Sequence, residues 1–371
     1  MPSLSMRNEV NLTVKADRTV LVSGPALVKV VEGEVSVLGA PLNFEDEVKV
    51  RKGKSLPFYC SSPAKLVLNC GGKPCFKEVE GDTIPEDWKE TVEKILVEAG
   101  IKNIVIMVVG GVDTGKTTFT IYTVNKALKQ SLNVNVVDAD IGQSEIGPPT
   151  TVGCYNPKKY VYDLFYENPD NVIFIGSITP ANVQSKMIKE VSNLCLNSKE
   201  GFNLTVLNTD GWVSGEDAKK YKLEIARNAK AEFIVVLQSS EDELLLADMF
   251  ENNGFMVFKV KASPYIRRRS REERRKLRWQ SYHKYMKNSS VKVLLLRNIK
   301  VIGKLWRKGV LLGLYDQDCR FLGLGVLKDF DKDRRLIRVL TPVKDNVKVV
   351  EAGEITVEDE LSLPLNILKN L

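Results

Sequence analysis

Eight residues, Gly110-Gly111-Val112-Asp113-Thr114-Gly115-Lys116-Thr117, constrain this chain most, because they satisfy GxxxxGK[ST] between an apolar run and a helical stretch. The glycines let backbone N–H groups face inward around phosphate oxygens, and the helix N-terminus adds the positive end of its dipole. The expected nucleotide-binding set is Gly110 through Thr118, with Lys116 reaching the β- and γ-phosphates and the Thr117 hydroxyl ligating Mg²⁺. A Gly-rich strand-to-helix turn with no ligand is the plainer alternative.

The next apolar run, NVNVVD, leads into Asp138-Ala139-Asp140-Ile141-Gly142-Gln143. Two carboxylates spaced by two can both emerge at the strand end, beside the phosphates. One can hold magnesium or its water and the other can take a proton. Asp138 and Asp140 therefore join Thr117 as candidate metal residues. A simple helix cap is the plainer alternative for such an Asp. The later run EFIVVL continues into Gln238-Ser239-Ser240 and has no N/TKxD guanine signature, which disfavours a GTPase switch.

From Ile101 onward, apolar runs (Ile101–Val109, NVNVVD, NVIFIG, NLTVLN, EFIVVL, FMVFKV) alternate with helical stretches. That grammar predicts an α/β domain with a mostly parallel sheet covered on both faces. Before it, short Val-rich runs such as TVLVSG and EVSVLG, bounded by turn residues, predict a small all-β domain over residues 1–84. Pro85 then opens PEDWKETVEKILVEAG, a helix with Glu86 and Asp87 in its first turn and Gly100 as its stop. After residue 288 short strands with Gly turns return, which predicts a second small all-β domain over 289–371 and a central P-loop domain over 85–288.

Composition narrows the function classes. With 43% hydrophobic and 27% charged residues, the chain is neither disordered nor fibrous. No apolar run approaches the ~20 residues of a membrane helix. The start MPSLSMRNEV has no signal-peptide core, so a soluble, cytoplasmic chain with no membrane partner is expected. Six scattered cysteines are too few for a disulfide framework. The CxxxxC pair Cys70 and Cys75 has no second pair to complete a zinc site, so ordinary free thiols are expected. The single histidine, His283, excludes a His-rich metal centre and argues against a Ser-His-Asp triad.

The net charge of +7 has one source. Lys261 to Lys284 carries ten Lys and Arg against Glu272 and Glu273, a local +8 that leaves the rest of the chain at −1. Within it Arg271, Arg274, Arg275 and Arg278 follow i, i+3, i+4, i+7 spacing, so all four are expected on one helical face. Three uses are open: a cationic lid closing over ATP, a patch for an RNA backbone, or a solvated helix.

GGVDTGKTT, DADIGQ with the following GPPTTVG, GSITP (Gly176 to Pro180) and NTDGW (Asn208 to Trp212) occur in this order. In these motifs the chain resembles, over nearly its whole length, the polynucleotide 5′-hydroxyl kinases of the eukaryotic mRNA-cleavage-factor and rRNA-processing group, and most of all their archaeal members. The resemblance implies a P-loop kinase domain between two small all-β domains. It also implies ATP and Mg²⁺ as cofactors, and transfer of the γ-phosphate to the 5′-hydroxyl of RNA, with DNA as a further acceptor, in RNA processing or repair. Residue by residue, Lys116 matches the phosphate lysine and Asp140 the aspartate of DxGQ, the candidate base, while Asp138 is a support. Arg275 and Arg278 match catalytic lid arginines. Gln143, Ser177, Thr179, Trp212 and Arg271 fall where acceptor RNA is held, Trp212 by stacking on a base. A core aromatic is the ordinary alternative for Trp212.

Two departures stand out. The strand that carries acidic base contacts in relatives reads Asn11-Leu12-Thr13-Val14-Lys15, so no adenine contact carries over. Gly111 stands where the family has Pro. Two rival functions remain open: a P-loop ATPase or GTPase switch, and a nucleotide-binding scaffold of an RNA-processing complex.

Overall fold

The computed structural model of the chain describes residues 8–72, 75–198, 201–305 and 307–357. The first residues, read above as lacking a secretory leader, lie outside it, as do 358–371, which the sequence leads us to expect in the C-terminal β domain. Among the described residues no helix is long and apolar enough to cross a membrane.

Among the described residues nine strands come first: β1 (Asn8–Val14), β2 (Arg18–Ser23), β3 (Ala26–Glu32), β4 (Val35–Val37), β5 (Ala40–Leu42), β6 (Glu47–Val50), β7 (Ser55–Cys60), β8 (Ala64–Cys70) and β9 (Phe76–Glu80). They form two antiparallel sheets, β1-β8-β3-β6 and β5-β4-β7-β2-β9. Alternating burial along each strand sends Val20, Val22, Phe58, Leu66 and Leu68 into one core. Strand β7 escaped the sequence reading because Pro57 interrupts it. It pairs with β4 only from Phe58 onward, so the missing Pro57 N–H costs no bond there.

The cysteine expectation needs a correction. Cys70 and Cys75 are joined by a disulfide, with Cα atoms 5.9 Å apart. Both sides are fastened to the same corner: Gly71 N–H donates to Pro25 O at 2.9 Å, and Ser23 N–H donates to Cys75 O at 2.7 Å. That shared anchorage brings the pair together. Cys60, Cys154, Cys195 and Cys319 are free.

The central part runs α1 (Glu86–Ile101), β10 (Ile104–Val109), α2 (Lys116–Lys129), β11 (Val134–Ala139), β12 (Thr151–Tyr155), β13 (Asn171–Phe174), α3 (Gln184–Ser198) and β14 (Leu204–Thr209). It continues through α4 (Glu216–Asn228), β15 (Phe233–Gln238), α5 (Glu241–Asn252), β16 (Met256–Lys261) and α6 (Arg271–Met286). The sheet order is β13-β12-β11-β14-β10-β15-β16, parallel from β11 to β16. The run NVIFIG was expected in the parallel set. It instead forms the edge strand β13, antiparallel to β12, a strand the sequence reading missed. Gly100 does not stop α1, which continues to Ile101 and closes with Lys102 N–H on Glu98 O.

Strand β10 explains the layering. Ile104, Ile106 and Val108 point into the core shared with α1, α2 and the N-terminal strands, while Val105, Met107 and Val109 point into the core under α3, α4 and α5. Fully buried Asn125 on α2 bolts the N-terminal sheets to this layer. Its side-chain N–H₂ donates to Leu38 O and Val161 O, and its carbonyl accepts from Val161 N–H.

The last part is one six-stranded sheet built from β17 (Ser290–Leu295), β18 (Lys300–Ile302), β19 (Val310–Tyr315), β20 (Phe321–Asp331), β21 (Leu336–Thr341) and β22 (Val349–Thr356). Its order is β17-β21-β20-β19-β22-β18. One face packs on Phe174 at the edge of the central sheet and on Tyr282 and Met286 of α6. Glu354 N–H donates to Gly176 O at 2.8 Å, so this sheet also holds the start of the GSITP loop.

Candidate active site

The phosphate loop leaves β10 and ends in α2, whose N-cap Gly115 sits at φ 103°, a backbone conformation open to glycine. Buried Lys116 donates from Nζ to the carbonyls of Gly110 (2.9 Å) and Gly111 (2.6 Å). Burial pulls its ammonium below the ordinary lysine value, opposed by the nearby Asp140 carboxylate. The loop is braced from behind. Gly111 N–H donates to Glu243 of α5 at 3.0 Å, and Ser239 and Ser240 hydroxyls bond the same buried carboxylate.

The two aspartates after β11 have different surroundings. Asp138 is fully buried and spends both oxygens on the protein. Oδ2 accepts from Glu145 N–H (2.7 Å), Ile146 N–H (3.2 Å) and the Ser144 hydroxyl, and Oδ1 from Asn208 (3.0 Å) and Asp140 N–H (3.3 Å). Burial first, then the Asp140 charge, pushes its carboxyl up to about 7. Asp138 therefore shapes the loop 143–146. Asp140 is only partly enclosed; Oδ1 accepts from Gly142 N–H (3.2 Å) and Gln143 N–H (3.0 Å). Among the described residues its Oδ2 accepts no hydrogen bond, and burial raises its carboxyl against the pull of Lys116.

Behind Asp140 stands a pair the sequence reading passed over. Lys222 of α4, fully buried, bonds Asp210 Oδ2 at 2.9 Å and Asp210 O at 3.0 Å. Tyr221 donates to the same carboxylate at 3.0 Å. Burial lowers the Lys222 ammonium, while Asp210 and then Asp140 hold it up. Asp210 also accepts Trp212 N–H at 2.9 Å, so the NTDGW turn is fixed from inside.

The arginine segment closes the site. Helix α6 starts in a capping box, with Ser270 and Glu273 satisfying each other's backbone N–H groups. The four arginines expected on one face divide: Arg274 and Arg278 are half-buried toward the P-loop side, while Arg271 and Arg275 are exposed. The burial boundary runs along the helix between the two i, i+4 pairs. Arg278 donates to Gly142 O at 3.5 Å and lines a small cleft with Gln143. A cavity of ≈ 160 Å³ lies between the N-terminal sheets, the phosphate loop and this segment. Lys116, Thr117, Thr118, Asp140, Gln143, Arg267 and Arg269 line it, with Leu56, Pro57 and Ile266 as an apolar wall.

Residues 110–288 match the family model described as mRNA cleavage and polyadenylation factor CLP1 P-loop. This segment is similar to the CLP1-type P-loop domain. Over 340 residues the chain is 25% identical to a polyribonucleotide 5′-hydroxyl-kinase of Methanocaldococcus jannaschii, covering 74% of this chain and 92% of that one. It is 26% identical to the enzyme of the same name from Pyrococcus furiosus, over 75% of this chain and 94% of that one. A shorter match, 26% over 38% of this chain and 20% of the other, links it to the polynucleotide 5′-hydroxyl-kinase NOL9 of Danio rerio. In fold it is similar to wild-type Clp1p in its complex with Pcf11p, at a TM-score of 0.73 and 15% identity, covering 95% of this chain and 98% of that one. The family read from the four motifs is the family these comparisons find.

The fold thus brings the P-loop, Asp140 and Gln143 together on one cavity, with Arg278 beside it. Ser177, Thr179 and Trp212 do not line that cavity. Ser177 is buried and its hydroxyl donates to Thr179 O at 3.0 Å; Thr179 is exposed. Trp212 is half-buried, its ring 5.6 Å from Tyr221. Arg269, Glu243, Asp210 and Lys222 were missed. Arg269 lies in the basic run already singled out, and Asp210 within NTDGW; Glu243 and Lys222 carry no local signal.

Proposed function

We propose that this chain is an ATP-dependent polynucleotide 5′-hydroxyl kinase that moves the γ-phosphate to the 5′-hydroxyl end of RNA, with DNA as a further acceptor. The carrying observation is the cavity that unites Lys116, Thr117 and Asp140 under Arg269. The names of the archaeal relatives, which align over most of their length, support the same reading. We assign the work to the cytoplasm, as the sequence leads us to expect.

Lys116 binds the donor phosphates, and P-loop N–H groups orient them. Asp140 takes the proton of the 5′-hydroxyl through its uncommitted Oδ2. The new O–P bond forms as the bond from γ-phosphorus to the β–γ bridging oxygen breaks, and ADP leaves with that electron pair. Thr117, on the cavity wall, would hold Mg²⁺ directly and Asp140 would reach it through one of the ion's waters, which leaves Oδ2 to the proton, whereas Asp138 has no oxygen unspent. When bound, Mg²⁺ neutralises charge on the phosphates.

The acceptor side falls to Gln143, Ser177, Thr179, Trp212 and the exposed Arg271. Arg278, beside Gln143, acts with Arg269 on the charge that develops in transfer. Exposed Arg275 moves in our reading from that role to acceptor backbone, next to Arg271. Arg278→Ala is accordingly expected to lower kcat at unchanged RNA affinity. Arg275→Ala should weaken RNA binding and reduce its salt slope by about one unit. Trp212→Ala should cost about 1–3 kcal/mol of acceptor binding with little effect on ATP. Steady-state kinetics and RNA titrations at several salt concentrations check all three. The function itself is tested by ADP formation with and without acceptor. A kinase makes ADP in proportion to 5′-hydroxyl ends, and turnover indifferent to them would instead mean a switch ATPase.

A further inference from the structure

Asp113 occupies the middle of the phosphate loop, where its own charge opposes a bound phosphate. It adopts a left-handed backbone, φ 57°, and its side chain is 9% exposed. The carboxylate does not face solvent but reaches across 156 residues of sequence to the arginine segment. Oδ2 accepts the Arg269 backbone N–H at 2.8 Å, Oδ1 accepts the Arg269 guanidinium at 3.0 Å, and Arg274 adds a third bond at 3.4 Å. Arg274 also donates to Arg269 O at 2.7 Å, so the two arginines and the aspartate form a closed ring. Two guanidiniums more than offset the single carboxylate, leaving this part of the loop cationic.

Three features indicate what the ring serves. The backbone bond from Arg269 fixes the chain just before α6, whatever the guanidiniums do. Arg269 lines the same cavity as Lys116 and Asp140. Among the described residues its buried Nε–H has no acceptor, and an anion beside the phosphate loop would supply one. Among the described residues neither Arg271 nor Lys276 is tethered to the phosphate loop; Lys276 pairs with Glu272 on its own helix, and both are exposed.

We propose that Asp113 is a positioning residue that seats the arginine segment over the donor phosphates through Arg269 and Arg274. It acts through Arg269, which is the arginine that meets the transferred phosphoryl group. The catalytic half of this inference rests on the kinase reading; the tether itself does not.

The test separates the two. Gly and Asn both tolerate a left-handed backbone, so Asp113→Gly removes the carboxylate and Asp113→Asn keeps one acceptor for the Arg269 N–H. Trypsin digestion of the full chain, with no nucleotide or RNA, reads the tether. Asp113→Gly should speed cleavage between residues 267 and 278 by about tenfold, Asp113→Asn less, and Lys276→Ala not beyond loss of its own site, at unchanged melting temperature. In transfer assays Asp113→Gly and Arg269→Ala should each lower kcat by about 10²-fold with ATP KM within about threefold, and the double variant should be no worse than either. Unchanged cleavage in Asp113→Gly would overturn the tether even if the chain is no kinase. Multiplicative loss in the double variant, with cleavage accelerated as expected, would overturn the claim that Asp113 acts through Arg269.

Discussion

Lys116→Ala abolishes phosphoryl transfer, lowering kcat/KM by at least about 10³-fold, and leaves the fold intact. The Lys116 ammonium contributes to the cavity wall rather than to the hydrophobic core, and its two bonds to Gly110 and Gly111 carbonyls lie within the loop itself. Burial already disfavours its charge, so removing it relieves a desolvation cost while two carbonyls lose a donor. The melting temperature should therefore move by only a few degrees, about what a change near 1 kcal/mol causes in a chain of this size. Transfer within tenfold of wild type would remove Lys116 from the phosphate site.

Asp140→Asn comes next in size. The asparagine side-chain oxygen still accepts from Gly142 and Gln143 N–H, so the loop keeps its shape. What disappears is the carboxylate that faces Lys116 and takes the acceptor proton. Transfer should fall by about 10²–10⁴-fold, the range for loss of a general base, while ATP binding persists. Asp138→Asn is the informative contrast. Asp138 accepts five bonds from the loop and its neighbours, and an amide nitrogen there would face the Glu145 and Ile146 N–H groups. Its loss should lower thermal stability as well as activity, whereas Asp140→Asn should lower activity alone.

The parts of this site that were legible in the sequence are those encoded locally. A P-loop is one strand end, one turn and one helix start, so Gly110 to Thr118 could be read from consecutive residues. The alternation of apolar runs revealed a parallel sheet because buried strands carry no polar face. Strand β12, and with it the antiparallel turn of the sheet edge, escaped because TVGCY contains Gly153, which no strand pattern favours. A Cβ there would lie 2.5 Å from Ile146 O, so close backbone approach, not propensity, sets that residue. The one-face expectation for α6 failed for a tertiary reason. Spacing gives the angle of a side chain about its helix, but only the neighbouring phosphate loop decides which angle is buried. Asp113 with Arg269, Gly111 with Glu243 and Arg51 with Asp163 all join residues more than a hundred positions apart, and none has a local signature. Arg51 also ties the N-terminal part to the loop after Asp140, since it and Lys54 both pair with Glu145 and, against its burial, hold its carboxyl below the ordinary range.

Phosphoryl transfer to a 5′-hydroxyl is the central claim, and one measurement bears on it most directly. The full chain is incubated with γ-labelled ATP, Mg²⁺ and one of two oligoribonucleotides that differ only in a 5′-hydroxyl or a 5′-phosphate, and label is followed into RNA and into free phosphate. The account predicts label at the 5′ end of the hydroxyl oligomer, none on the phosphorylated one, and little free phosphate from either. Label released as free phosphate to the same extent with both oligomers, and none in RNA, would contradict it.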